Sequence, residues 1–240
     1  LYMNRIKPFI NKDLIKVITG IRRCGKSVML QTIQKELLNS GIKKEVIFSY
    51  NFESMTFSHL CTAESLYKHV MDSTRSLQGK IYLFFDEIQE VKDWERAINS
   101  FRVDLDCDIY ITGSNSQLLS GELSTYLAGR YVEFVIYPFS FQEFTEQIQL
   151  EQPNITSSES FKKYLLYGGM PYLWNLQYKD EPVKQYLRDL YNAVELKDIV
   201  RRKKIRDVDL LERILAYVTA NIGNTFSSTA ISKFLKSEGR

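Results

Sequence analysis

Residues 20 to 28 have the types and spacing of a phosphate-binding loop. A glycine is followed after four residues by Gly-Lys-Ser, in the order Gly20, Ile21, Arg22, Arg23, Cys24, Gly25, Lys26, Ser27, with Val28 next. Glycines let the backbone curl tightly, so that successive N–H groups converge on phosphate oxygens. The lysine is suited to reach the β- and γ-phosphates, and the serine hydroxyl is suited to ligate Mg²⁺. This pattern predicts that residues 20 to 28 bind a nucleotide.

The segments on either side of this loop are those that a P-loop requires. A β-branched, apolar run from Leu14 to Thr19 predicts a short buried strand. Apolar residues at helical spacing after Ser27 predict a helix that ends near Gly41. The positive end of that helix would point at the anion that the loop surrounds.

Cys24 lies inside this loop. The nearby lysine and helix N-terminus could lower the pKa of its thiol, and the simpler alternative is a small residue that fits the loop. The sequence has three cysteines, without the spacing of metal ligands. An odd number of cysteines favours a reducing, cytosolic setting over a disulfide scaffold.

A second apolar run, Ile81 to Phe85, is followed directly by Asp86 and Glu87. Because it shows no polar alternation, the run is typical of a central strand that is buried on both faces. After a P-loop, an acidic pair in this position predicts that Asp86 lies near Mg²⁺ and that Glu87 polarises the attacking water. The glutamate favours hydrolysis, since it supplies a general base.

Two further positions are candidates for contacts with the γ-phosphate. The strand predicted over residues 107–112 ends in Thr-Gly-Ser-Asn, so that Asn115 or Ser114 could sense the γ-phosphate or the water. The alternative for Ser114 is a helix N-cap. Arg130 precedes the strand predicted over Tyr131 to Tyr137 and is a candidate arginine finger, in cis or on the nucleotide of a neighbouring subunit. The alternative is an ordinary surface arginine.

Strands and helices alternate through residue 137, which predicts an α/β fold with a parallel sheet and right-handed crossovers. The nucleotide would lie at the carboxyl ends of its strands. After Phe144 the sequence becomes polar and then helical, so we expect one domain over residues 1–150 and a helical one over 151–240. The last helices predict the first part of a helix-turn-helix or winged-helix unit.

Charge and hydropathy narrow the classes of partner. The net charge of +3 over 240 residues is too small to predict nucleic-acid binding by itself. A basic cluster at residues 201–206 is the one local exception, and nearby aspartates favour a solvated charged face over a DNA contact. Since no apolar stretch approaches the length of a membrane span, we predict no membrane partner, and the odd number of cysteines favours a cytoplasmic setting.

Several segments in order resemble one known family. The segments are ITGIRRCGKS, FFDEIQEVKDWERAINS, YITGSNSQLLSGELSTYLAGRYVEF, YPFSFQEF and YGGMPYL. Together they are similar to the prokaryotic AAA-type P-loop ATPases that carry a C-terminal domain of unknown function. The resemblance implies a P-loop NTPase core of the additional-strand catalytic-glutamate type, with a five-stranded parallel sheet flanked by helices. It also implies a following α-helical, partly winged-helix-like region. Family members continue past residue 240, so we expect the sequence to be truncated at its C-terminus.

The resemblance also implies ATP and Mg²⁺ as ligands, and it assigns roles to Lys26, Ser27, Asp86, Glu87 and Arg130. The leading hypothesis is an ATPase whose hydrolysis moves the helical region. The alternative is a slowly hydrolysing, nucleotide-gated switch that regulates a DNA or protein partner through the C-terminal region. A homo-oligomer is compatible with either, and the sequence does not decide among these partners.

Overall fold

The computed structural model describes residues 2–113, 127–193, 200, 207–225 and 227–237 of the chain. Five strands form one sheet: β1 (Ile15–Gly20), β2 (Ile47–Asn51), β3 (Ile81–Asp86), β4 (Cys107–Thr112) and β5 (Tyr131–Ile136). The helices around it are α1 (Tyr2–Ile6), α2 (Lys26–Asn39), α3 (Ala63–Thr74), α4 (Trp94–Asp104), α5 (Phe141–Glu151) and α6 (Ser157–Tyr167). Short 3-10 helices cover Lys7–Phe9, Lys44–Val46, Met55–Leu60, Ile88–Glu90 and Pro171–Leu176.

The sheet has the order β2–β3–β4–β1–β5, and every pair of neighbouring strands is parallel. All carboxyl ends therefore lie at one edge of the sheet, where the P-loop and the acidic pair leave their strands. β4 lies between the P-loop strand β1 and the acidic strand β3. This is the additional strand that the family resemblance implies, and the predicted fold class is confirmed.

Helices cover both faces of the sheet, which explains why every residue of β1 and β3 is buried. On one face the odd-numbered apolar residues of β1, β3 and β4, such as Leu83 and Phe85, and Tyr50 of β2 pack against α3 and α4. On the other face Ile18 and Phe84 belong to a second apolar layer with α1 and α2. Because side chains alternate along a strand, the uninterrupted apolar runs of the sequence supply both layers.

A buried ion pair lies at the amino edge of the sheet, opposite to the P-loop. Lys16 of β1 donates to Asp108 of β4, and both side chains are fully buried. Asp108 also accepts from the backbone N–H of Asn11 and from the hydroxyl of Tyr110. The ammonium of Lys16 donates to the carbonyl of Lys12 as well. Burial lowers the pKa of Lys16, and the neighbouring carboxylate of Asp108 opposes that shift.

Two of the family-like segments, YPFSF and YGGMP, meet after the last strand. The N–H of Phe139 donates to the carbonyl of Gly169, and the hydroxyl of Tyr164 donates to the carbonyl of Phe139. A Cβ at position 169 would overlap the Phe139 carbonyl, so this approach requires glycine. α5 and α6 each begin with a capping box, from Ser140 and Thr156 respectively.

The chain divides into two compact units, residues 1–177 and 178–240. The pairing of Phe139 with Gly169 agrees with the place of α5 and α6 in the first unit, which extends past residue 150, the predicted end of the first domain. The second unit contains α7 (Asp180–Tyr191), α8 (Val208–Ala220) and α9 (Ser228–Ser237). Tyr217 of α8 packs on Phe234 of α9, with ring centroids 4.8 Å apart. The basic cluster at 201–206 lies outside the described residues, and the winged-helix unit stays a prediction.

Candidate nucleotide-binding site

The P-loop joins the end of β1 to the start of α2, as the sequence predicts. Gly20 has a φ of +149°, and an added Cβ would overlap the carbonyl oxygen of Ile136 and lie 2.7 Å from the Cys24 sulfur. Gly25 precedes α2 with a φ of +106°. Arg23, also in the left-handed region at +67°, completes the tight turn. Both glycines are therefore required by the backbone path, and no larger residue fits Gly20.

The N-terminus of α2 is suited to an anion. Gly25 occupies the N-cap position and no side chain caps the helix. The first backbone N–H groups of a helix have no partner inside it, and the N-cap glycine offers no side-chain acceptor to them. Together with the positive end of the helix dipole they form a site of the kind that binds phosphate. The residues present therefore fit a nucleotide phosphate.

Lys26 lies between the P-loop and the acidic strand. Its side chain is 5% exposed, and its Nζ lies 3.4 Å from the carbonyl oxygens of Gly20 and Ile21 and 3.7 Å from Oε1 of Glu87. All three distances are at or beyond the long limit of a hydrogen bond. A buried ammonium with such loose partners can turn toward phosphate oxygens without losing strong contacts.

The acidic pair stands at the carboxyl end of β3, where Asp86 is the last residue and is buried. The hydroxyl of Thr112, at the end of the adjacent β4, donates to Oδ1 of Asp86. The hydroxyl oxygen of Thr112 in turn accepts the backbone N–H of Glu87 at 3.0 Å. Thr112 thus fixes both acids, and it leaves the second oxygen of Asp86 available for a cation.

The backbone of Glu87 is in the left-handed region, with φ +54° and ψ +50°. This conformation is uncommon outside glycine and asparagine and is often found at functional sites. The Glu87 carboxylate lies between two groups, Lys26 near Oε1 and the amide of Gln89, which donates to Oε2. The side chain of Glu87 is 18% exposed.

Apart from Cys24, the remaining P-loop residues are partly or fully exposed. Ser27 is partly exposed in the first turn of α2, next to Lys26. The side chains of Ile21 and Val28 are 51% and 63% exposed, and those of Arg22 and Arg23 are also exposed. Ser27 and Asp86 are the donors that would hold Mg²⁺, which commonly takes one or two protein oxygens and completes its shell with phosphates and water. The roles of these residues stay predictions.

Cys24 is 3% exposed. Burial raises the pKa of its thiol, and the opposing effects of Lys26 and of the backbone N–H groups are smaller. The prediction that Lys26 and the helix N-terminus lower the pKa of this thiol is therefore wrong. The alternative, a small residue that fills the space beside Gly20, agrees with its position.

Arg130 lies at the opposite edge of the sheet from the P-loop. Its carbonyl accepts the N–H of Ile15 at the start of β1, and its guanidinium donates to Oδ1 of Asn99 in α4 at 2.9 Å. The five residue steps from Ile15 to Gly20 span about 17 Å. The cis alternative for the arginine finger does not agree with this geometry, so a catalytic role of Arg130 stays a prediction only in its trans form. Ser114 and Asn115 lie outside the described residues.

Two functional candidates were not singled out from the sequence, Thr112 and Gln89. Thr112 begins the polar segment at the end of β4 that also contains Ser114 and Asn115. The sequence therefore indicates the right segment, and the residue that contacts the acidic pair lies two positions before Ser114. Gln89 follows the acidic pair by two residues and carried no signal, because the left-handed turn at Glu87 that brings them together is not visible in the pattern.

Family models match both halves of the chain. One described as an AAA domain matches residues 12–145, more than half of the 240 residues. The chain belongs to the AAA family. A second model, for a domain of unknown function, matches residues 158–239. The family identification that the sequence motifs suggested is confirmed.

The curated relatives of this AAA protein are prokaryotic. An uncharacterized protein of Haemophilus influenzae is 37% identical over 238 residues, which cover 99% of this chain and 59% of the relative. An uncharacterized protein of Methanocaldococcus jannaschii is 30% identical and is matched over 96% of this chain and 52% of its own length. The chain thus spans between half and three fifths of the length of these relatives.

Solved structures with a similar course of the chain include a DnaA and an Orc1 protein. DnaA from Aquifex aeolicus bound to AMPPCP has a TM-score of 0.49 at 16% identity, over 96% of this chain and 73% of that one. Orc1 of Aeropyrum pernix in complex with DNA has a TM-score of 0.45 at 14% identity, over 98% and 76%. Within the described part of the present chain, no helix has both the length and the apolar character to cross a membrane.

Proposed function

We propose that this AAA protein binds Mg·ATP at the P-loop and hydrolyses it, and that hydrolysis moves its C-terminal helical region. The observation that carries the proposal is the position of Glu87. Its carboxylate directly follows the buried Asp86 and lies 3.7 Å from the P-loop lysine. A general base must lie within hydrogen-bond reach of the water that attacks the phosphate bound by the lysine, and this arrangement supports that role.

Each residue of the site has a task in this reaction. Lys26 would leave the carbonyls of the loop and bind the β- and γ-phosphate oxygens. Ser27 and Asp86 would hold Mg²⁺, which when bound neutralises charge on the phosphates. Oε1 of Glu87 would accept a proton from the attacking water. Thr112 would keep the two acids in register, since its hydroxyl contacts both.

The test is nucleotide binding and phosphate release by the wild-type chain, with ATP, GTP and ADP, with Mg²⁺ and with EDTA. The proposal expects ATP binding and phosphate release that needs Mg²⁺. Preference for ATP over GTP follows from membership of the AAA family and is part of the proposal. Release that does not need Mg²⁺, or an absence of ATP binding, would contradict it.

The alternative function is a nucleotide-gated switch in which ATP binds tightly and turns over slowly. The observation in its favour is the position of Arg130, which lies away from the P-loop of its own chain. Within a single chain, Arg130 therefore does not reach the γ-phosphate. Turnover per subunit that rises with protein concentration would support hydrolysis in a homo-oligomer. Tight binding with negligible turnover at every concentration would favour the switch, acting in the cytoplasm on a DNA or protein partner of the C-terminal region.

If Arg130 acts in trans, Arg130→Ala should lower turnover about a thousandfold or more, the range found for arginine fingers. Mixing this variant with Glu87→Gln should then restore part of the activity, because one chain supplies the base and the other the arginine. The matched control mixes Arg130→Ala with the double variant Arg130→Ala/Glu87→Gln, where no recovery is expected. Normal turnover of Arg130→Ala alone would exclude the role.

A further inference from the structure

The side chain of Gln89 contacts one oxygen of the Glu87 carboxylate and leaves the other open. Its Nε2 donates to Oε2, while Oε1 lies 3.7 Å from Nζ of Lys26. The distance of 3.7 Å between Oε1 and Nζ is longer than an ordinary hydrogen bond, so this contact leaves Oε1 able to accept one. The two oxygens of the same carboxylate therefore have different environments, one anchored and one facing the P-loop lysine.

The orientation of the Gln89 amide follows from chemistry. An ionised carboxylate only accepts hydrogen bonds, so the amide must turn its NH₂ group toward Glu87. The amide oxygen of Gln89 is buried and has no hydrogen-bond partner within the described part of the chain. No contact among those residues therefore holds the amide in the opposite orientation, and the bond to a charged acceptor is of the stronger kind.

We infer that Gln89 is a positioning residue that holds the Glu87 carboxylate so that Oε1 accepts the proton of the attacking water. The inference rests on the proposed hydrolysis. A glutamate side chain has several rotatable bonds, and Glu87 also starts from an uncommon left-handed backbone. Thr112 fixes the backbone N–H of Glu87, and Gln89 fixes its carboxylate. Together they fix both ends of the candidate base.

The test compares Gln89→Ala and the similarly sized Gln89→Glu with wild type. Loss of the donor should lower kcat about 10- to 100-fold, the usual effect of removing a partner that orients a functional group, with KM and ATP affinity within about twofold. In a Glu87→Gln background the same substitutions should cause no further loss. The matched control is Glu90→Gln, an exposed neighbour in the same turn, which should behave as wild type.

A second measurement needs no nucleotide. The ¹³C signal of the Glu87 carboxyl, identified as the one missing in Glu87→Gln, should shift in Gln89→Ala and stay in place in Glu90→Gln. An unchanged or raised kcat in the Gln89 variants, an effect on KM alone, or an unmoved signal would overturn the inference. If wild type hydrolyses ATP and Gln89→Ala has the same kcat, the positioning role of Gln89 is wrong and the proposed hydrolysis stands. If wild type itself lacks turnover, the proposed hydrolysis fails with it.

Discussion

Replacing Lys26 with alanine should weaken the binding of Mg·ATP about 30-fold to several thousandfold. The reason is the burial of the Lys26 side chain, which is 5% exposed and which makes, among the described residues, long contacts to two carbonyls and to Glu87. In the complex the same group would pair with phosphate oxygens, and truncating one partner of a buried, hydrogen-bonded charge pair costs about 2–5 kcal/mol. Equilibrium titration with ATP in the presence of Mg²⁺ measures the change.

The matched control is Lys35→Ala, which removes the same charge from an exposed position of α2. We expect its Kd for ATP to stay within about twofold of wild type, because exposed charges contribute little. A Kd of Lys26→Ala equal to that of Lys35→Ala would contradict the assignment of the phosphate site. Unfolding of both variants should be checked first, so that a loss of affinity is not a loss of structure.

Asp108→Ala should destabilise the protein by about 3–5 kcal/mol, although it lies far from the P-loop. The substitution leaves the fully buried Lys16 ammonium without its counter-ion and removes the acceptor of two further donors, the N–H of Asn11 and the hydroxyl of Tyr110. Removing one partner of a buried ion pair is costly because the other charge stays desolvated. Urea unfolding of both proteins measures the difference.

Two variants make this prediction sharp. Asp106→Ala removes a carboxylate whose side chain is 65% exposed and which pairs with Lys80, so it should cost no more than about 1 kcal/mol. The double variant Lys16→Met/Asp108→Asn should be more stable than Asp108→Ala, because it removes the buried charge and keeps an acceptor for Asn11 and Tyr110. Equal losses for Asp108→Ala and Asp106→Ala would contradict the account of the buried pair.

The P-loop and the acidic pair could be predicted because their chemistry depends on local spacing. Gly20, Lys26 and Ser27 occupy fixed positions between a strand and a helix, and Asp86 and Glu87 end a run of apolar residues. Parallel strands bring such ends to one edge of a sheet. The ion pair of Lys16 and Asp108 was missed, although each is the single charged residue in an otherwise apolar strand.

Arg130 shows a conflict that was already present in the sequence. It was predicted to precede a parallel strand, and the nucleotide was predicted at the carboxyl ends of the strands. Both expectations together place Arg130 at the wrong edge for a cis role, as the contact with Ile15 makes evident. The contact of Gln89 could not be predicted, because it depends on the left-handed turn at Glu87. The segment of Thr112 could be predicted, but its contact with Asp86 depends on which strands are neighbours.

The most direct test of the proposed function is steady-state phosphate release from Mg·ATP by wild type and by Glu87→Gln under identical conditions. We expect the substitution to lower kcat about 100- to 10,000-fold, as loss of a general base does, while ATP affinity changes little. Glu90→Gln serves as the exposed control. Equal turnover of wild type and Glu87→Gln would contradict the assignment of Glu87 as the base, and with it the proposed hydrolysis at this site.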